Sequence, residues 1–153
     1  MFREGFELSN PVLEMNEQVQ LVFKFDDFSA DLKNYYYTVI HCDADWNESF
    51  LIREDYIDGF VDNPLDDYKM SFNATFEYVN YQLRVPNENM QFKISGNYVL
   101  VVYEDNDKEK VVVTQRFYIY ENRTSIEGTV RRATLDAFKG ENKEVDFTVY
   151  HNT

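Results

Sequence analysis

The chain has 153 residues, of which 44% are hydrophobic and 17% aromatic, with 12 Tyr and 13 Phe against 1 Trp. That supports one ordinary domain with a remainder, and the load of rings argues against a disordered chain. Fifteen Lys and Arg against 28 Asp and Glu leave a formal charge of −13. Such a charge repels nucleic acid phosphates and anionic headgroups, so no nucleic acid partner is expected.

No apolar run approaches the ~18 residues of a membrane-crossing helix, and no membrane insertion is expected. Met1-Phe2-Arg3-Glu4 opens directly into polar sequence, so no leader is visible in the segment. Cys42 is the single cysteine and forms no internal disulfide; two histidines, His41 and His151, are too few for most histidine-based metal centres.

Taken in order, the elements are strands. Five Gly and three Pro are few, so turns fall largely to Asn and Asp. Gln18 to Asp26 alternates Val19, Leu21, Phe23 and Phe25 on one face, which predicts a half-buried strand. A turn over residues 26–31 leads to a ringed, β-branched strand from Tyr35 to Cys42. Asp67 to Asn73 alternates Tyr68, Met70 and Phe72; Tyr78 to Val85 alternates Val79, Tyr81, Leu83 and Val85 before Pro86 ends it. Gly96–Glu104 and Val111–Tyr120, joined by a polar run, form the clearest hairpin. Only Glu54–Phe60 and Thr134–Lys139 offer a helical turn.

Seven or so strands at this spacing predict an all-β fold, an immunoglobulin-like antiparallel β-sandwich over roughly Phe6 to Tyr120. Its expected core holds Val19, Leu21, Phe23, Phe25, Val79, Tyr81, Leu83, Val85, Tyr98 and Leu100. Gly96-Asn97-Tyr98-Val99-Leu100 has the spacing of a tyrosine corner, in which a hydroxyl at the start of a strand bonds back to backbone. Trp46, just past the third strand, reads as core filler. After Tyr120 the sequence turns polar, and strands near Thr129–Ala133 and Val145–Tyr150 are too little for a second core. The expected division is residues 1–122 as the sandwich and 123–153 as a linker with the opening strands of a second β domain.

Chemistry finds little foothold. Asp43, Asp45, Asn47 and Glu54 stand at places 1, 3, 5 and 12 of an EF-hand loop, but Glu48 occupies the place that needs Gly. Asp43, Asp45 and Glu54 remain a weak calcium candidate, with solvated turn carboxylates as the plainer reading. His41 and Cys42 are strand neighbours pointing to opposite faces, so they form no nucleophile–base pair. No phosphate loop, nucleophile elbow or zinc-protease motif occurs. Neither a catalytic residue nor a cofactor is expected.

Phe25-Asp26-Asp27-Phe28 and the run Asn34-Tyr35-Tyr36-Tyr37-Thr38-Val39-Ile40-His41-Cys42-Asp43-Ala44-Asp45-Trp46 resemble the type IX secretion system plug protein family. Tyr56-Ile57-Asp58-Gly59-Phe60, Tyr68–Asn73, Tyr78–Tyr81, Ser95–Tyr98 and Val102–Asp105 extend the resemblance across Glu4 to Glu121, its first domain. Tyr35, Tyr36, Tyr37, His41, Cys42, Asp43, Asp45, Trp46, Gly96 and Tyr98 are its signature here. The resemblance implies a β-sandwich without catalytic function, exported to the periplasm of Bacteroidota. There such proteins occlude the periplasmic mouth of an outer-membrane translocon barrel, the expected partner. It also implies a longer protein with a signal peptide, so residues 1–153 read as part of one. The competing reading is a carbohydrate-binding sandwich in which exposed rings such as Tyr35 or Tyr37 stack on sugars.

Overall fold

The structure is a computed structural model that describes residues 1–29, 31–135 and 140–151. The chain divides into two compact units, Met1–Tyr120 and Glu121–Thr153. The helical turn expected at Thr134–Lys139 falls largely outside the described residues.

In the first unit, period-2 patterning builds the sheets. β3 (Leu21–Asp27) and β8 (Val79–Val85) pair antiparallel, setting Leu21 opposite Val85, Phe23 opposite Leu83 and Phe25 opposite Tyr81 on one face. β1 (Phe2–Arg3) and β7 (Tyr68–Met70) flank them, giving a four-stranded sheet in the order β1-β3-β8-β7. A five-stranded sheet runs β2 (Val12–Glu14), β11 (Val111–Tyr120), β10 (Gly96–Glu104), β4 (Tyr35–Cys42), β6 (Asn63–Pro64). All its pairs are antiparallel except β2 with β11, which run parallel. A single helical turn, α1 (Arg53–Tyr56), leads into β5 (Ile57–Gly59), which pairs with β9 (Met90–Phe92).

The inward faces of both sheets merge into one apolar cluster including Leu21, Phe23, Val39, Tyr81, Val85, Leu100 and Phe117. This is the all-β sandwich anticipated from the strand spacing, with the split of strands between sheets that immunoglobulin-type folds use. Tyr98 Oη donates to Ile94 O at 2.8 Å, closing a tyrosine corner, and Leu100 two residues on is fully buried.

Some expectations need correcting. Val19 precedes β3, and it and Phe25 are only partly buried against the core. The strand expected over Asp67 to Asn73 is only Tyr68–Met70, an edge strand, with Phe72 already in the turn toward β8, and the three alternating side chains are exposed. The short strands β1, β2, β5, β6 and β9 carry too few residues for any periodicity to announce them.

Asp27 ends β3 where it meets the β3–β4 loop. Burial pushes its carboxyl up, but bonds from Ser29, the Tyr35 hydroxyl and Lys33 outweigh it and bring it down from 3.8 to about 2. Tyr35 Oη donates to Oδ2 at 2.8 Å, and Lys33 Nζ lies 3.3 Å from the same oxygen.

The second unit is one hairpin of β12 (Thr124–Arg132) and β13 (Lys143–His151), so the two strands expected to be isolated are longer and pair with each other. Its register puts Ile126 opposite Val149 and Val130 opposite Val145, with Phe147 between them, and all five side chains are exposed. On the other face Arg131 pairs with Glu144 at 3.1 Å and Asp146 at 2.9 Å.

Two predictions follow from the first unit. Leu100→Ala is expected to lower unfolding free energy by about 2–5 kcal/mol in chemical denaturation, since a fully buried leucine leaves a cavity. A loss below ~0.5 kcal/mol, the scale of a surface substitution, would contradict its place in the core. Because the folded Asp27 titrates below its ordinary value, its stabilisation is present above 3.8 and fades as pH falls through about 2. Asp27→Asn should therefore reduce stability at neutral pH and flatten its acid dependence across that window, read from denaturation midpoints.

Candidate functional site

The signature residues converge on the end of β4 and the loop that follows it. Beyond Cys42 the chain reverses: Asp43 N donates to Asn47 O at 2.9 Å, Trp46 N to Asp43 O at 3.1 Å, and Ser49 N to His41 O at 2.9 Å. Asp43 organises the turn. Its Oδ1 accepts from the backbone N–H of Asp45 and of Asn47, each at 2.9 Å, and Oδ2 accepts from Asn47 Nδ2 at 3.3 Å. These bonds, the Asn47 backbone N–H foremost, hold its carboxyl below the usual range. Such an Asx turn calls for a short side chain with an acceptor oxygen, as Asp or Asn supplies. Asn97 Nδ2, at the start of β10, donates to Asp43 O at 2.9 Å and ties the loop to the sheet.

Trp46 takes a left-handed backbone, φ 69°. Its ring meets the Tyr118 ring edge-on at 5.3 Å, and the Arg116 guanidinium lies 4.6 Å over it. The reading of Trp46 as core filler is thereby corrected: it is half-buried on β11 residues, outside the core cluster.

His41 and Cys42 do different structural work. His41 Nδ1 lies 2.9 Å from Ser49 Oγ, and the ring meets Tyr98 edge-on at 5.1 Å. Burial pushes the imidazole down, against a bond with the Ser95 backbone, so it is neutral at ordinary pH. Cys42 is buried, and burial together with Asp43 and Glu48 pushes its thiol up, away from the thiolate that a nucleophile needs.

The three tyrosines split by strand alternation. Tyr35 and Tyr37 point inward and are 4% and 2% exposed, so the idea that they stack on sugars is overturned. Asn87 Nδ2 donates to Tyr37 Oη at 2.9 Å, while Tyr36 is half-buried and stacks near Tyr103 at 6.4 Å. Among the described residues no group of three or more His, Cys, Asp or Glu is placed to hold a metal ion, so Asp43, Asp45 and Glu54 are not brought together. Two clefts of the first unit, about 50 and 70 Å³, are far below the ~300 Å³ of a small-molecule site.

Asp62 is a structural residue that the sequence does not mark. Tyr103 Oη donates to its Oδ1 at 2.5 Å and Lys108 Nζ pairs with it at 2.9 Å; no motif marks either partner. Phe50-Leu51-Ile52 is signalled in the sequence only as a run of three apolar residues, and all three are exposed.

Gly96 gives the site a direct test. At its φ of 157°, a Cβ would come 2.3 Å from His41 Nε2. Because that ring is held by Ser49 and Tyr98, Gly96→Ala should cost about 1–3 kcal/mol in thermal or chemical unfolding. Adding His41→Ala should remove part of that cost, so the double-mutant cycle is expected to be non-additive.

The comparisons agree with the loop's resemblance. The family described as "Type 9 secretion system plug protein 1st domain" matches residues 1–121. A crystal structure of a hypothetical protein from Parabacteroides merdae ATCC 43184 superposes with a TM-score of 0.80 at 30% identity. The match covers 98% of this chain but 38% of that one, so the chain spans under two-fifths of the solved protein's length. No curated protein matches. With four-fifths of its residues covered, the chain belongs to the type 9 secretion system plug protein family, as its first domain.

Proposed function

We propose that this chain is a non-catalytic, periplasmic protein-interaction domain of a type IX secretion plug, which occludes the periplasmic side of the outer-membrane translocon. The observation that carries the reading is the family match over residues 1–121. The plug family is not a known enzyme family, and the site's polar residues are consumed in holding the fold. Asp43 caps a turn, His41 is wedged between Ser49 and Tyr98, and Cys42 is buried. The sugar-binding alternative loses its motivation with Tyr35 and Tyr37 in the core. Residues 123–153 are read as a linker and the opening strands of a second β domain, in keeping with the longer solved relative.

In this reading the charge of −13 serves encounter. Complementary fields speed association and choose partners more than they set affinity. Full-length protein is expected to co-purify with the translocon barrel from its own envelope, and association is expected to slow as salt rises past ~0.15 M, where the Debye length is about 8 Å. Cells lacking the protein should leak small solutes through the barrel. A full-length protein that never joins the outer-membrane complex, and instead binds a glycan in calorimetry, would reverse the conclusion.

A further inference from the structure

Between β4 and β6 the first unit presents an apolar corner. Phe50 is 108% exposed, Ile52 65% and Phe60 66%, with Leu51 and Val61 also exposed. One side chain draws the two stretches together. Arg53, next to Ile52, donates Nη2 to Phe60 O and Nη1 to Val39 O at 3.5 Å. Thr38 Oγ1 donates to Val61 O at 2.7 Å and Asn63 Nδ2 to Phe60 O at 3.1 Å, so the outer stretch is pinned to β4 and β6. The Phe60 ring is thus held on fixed backbone.

Carboxylates outnumber cations around this corner. From Asp43 to Asp62 there are seven against Arg53, which is turned onto backbone carbonyls, and Lys93, just past β9, donates Nζ to Glu54 O at 2.5 Å. Asp43 is spent on its turn and Asp62 on Tyr103 and Lys108. Among the described residues Glu48, Glu54, Asp55 and Asp58 are exposed and form no ion pair. An apolar centre within a polar, charged rim is the anatomy of a protein interface, and exposed rings grouped in this way mark interaction sites. A sugar would need polar groups converging on the rings; an anionic lipid would be repelled.

We propose that this corner, Phe50–Ile52 with Phe60–Val61 inside the rim of Glu48, Glu54, Asp55 and Asp58, is where the domain docks on the translocon. The proposal rests on the plug reading above. The partner surface it fits is a protein face with an apolar recess ringed by Lys and Arg. The apolar centre supplies lasting contact and the carboxylates supply approach.

The test retains full-length protein on detergent-purified translocon. Phe50→Glu, Ile52→Glu and Phe60→Glu combined should weaken retention at least tenfold, while Phe72→Glu with Phe76→Glu, exposed at the β7–β8 turn, should leave it unchanged. Both variants should melt like the parent, since each replaced side chain is already in solvent. Glu48→Gln, Asp55→Asn and Asp58→Asn should reduce the salt dependence of association and change dissociation little. Unchanged retention of the triple variant overturns the docking surface and leaves the plug reading standing; a parent protein that is not retained overturns both. Shielding of the Phe50 and Phe60 side chains from hydroxyl-radical labelling in the free full-length protein would assign the corner to another part of the same chain. A dimer in sedimentation that the triple variant abolishes would assign it to a second copy. Either result overturns the proposal.

Discussion

A tyrosine ring fills a core well only if its hydroxyl finds a partner, because an unpaired buried hydroxyl costs about 1–3 kcal/mol. This core contains several, and the loops are arranged around them. Tyr35 reaches Asp27 at the end of β3; Tyr81 both donates to Lys33 O and accepts from Lys33 N, each at 3.0 Å; Tyr98 reaches Ile94 O. Tyr37 accepts from Asn87, and Tyr103 donates to Asp62. The β3–β4 loop, the stretch before β10 and the approach to β6 are each held by a phenol that starts inside the fold. Among the buried side-chain nitrogens and oxygens of the described residues, only Arg3 Nε is left without a partner. The rings therefore do two things at once: they supply apolar volume and they fix connections that would otherwise wander.

The same economy explains the most distinctive stretch of the sequence. In His41–Trp46, histidine buttresses the tyrosine corner, cysteine fills a buried place, aspartate closes the turn and tryptophan folds back over β11. Gly96 belongs to the same set, since its missing side chain leaves room for the His41 ring. A family signature is usually read as chemistry. Here His41, Cys42, Asp43 and Trp46 are engaged by the fold around them, and the exposed surface beside them carries apolar and acidic groups.

How far the sequence could be read depended on how many residues each feature spread over. β10 and β11 fall on Gly96–Glu104 and Val111–Tyr120, the bounds that alternation predicts, because nine or ten residues give the period time to show. Tyr98 was readable because its hydroxyl partner lies four residues away. Asp27 with Tyr35 and Asp62 with Tyr103 were not, since those pairings span 8 and 41 residues and depend on which strands become neighbours. Tyr68 and Met70 alternate as a strand should, yet their three-residue edge strand leaves both exposed, which alternation alone does not tell. Tyr35 and Tyr37 show the same limit. Alternation says that they share a face, while only the packing of the second sheet says that the face is inside.

The parallel pairing of β2 with β11 has a mechanical consequence. Val12, Leu13 and Glu14 lie beside Tyr118, Ile119 and Tyr120, with Met15 N bonded to Tyr120 O at 2.7 Å and Tyr118 N to Pro11 O at 2.9 Å. The chain enters this pair at one end and leaves it at the other. Tension between the two ends of the sandwich drags the strands lengthwise past each other, so the transverse bonds share the load and must break together. Had the last strand run antiparallel to the first, the same pull would peel them apart one bond at a time. A sandwich closed in this way resists stretching along its chain axis more than its thermal stability alone would indicate.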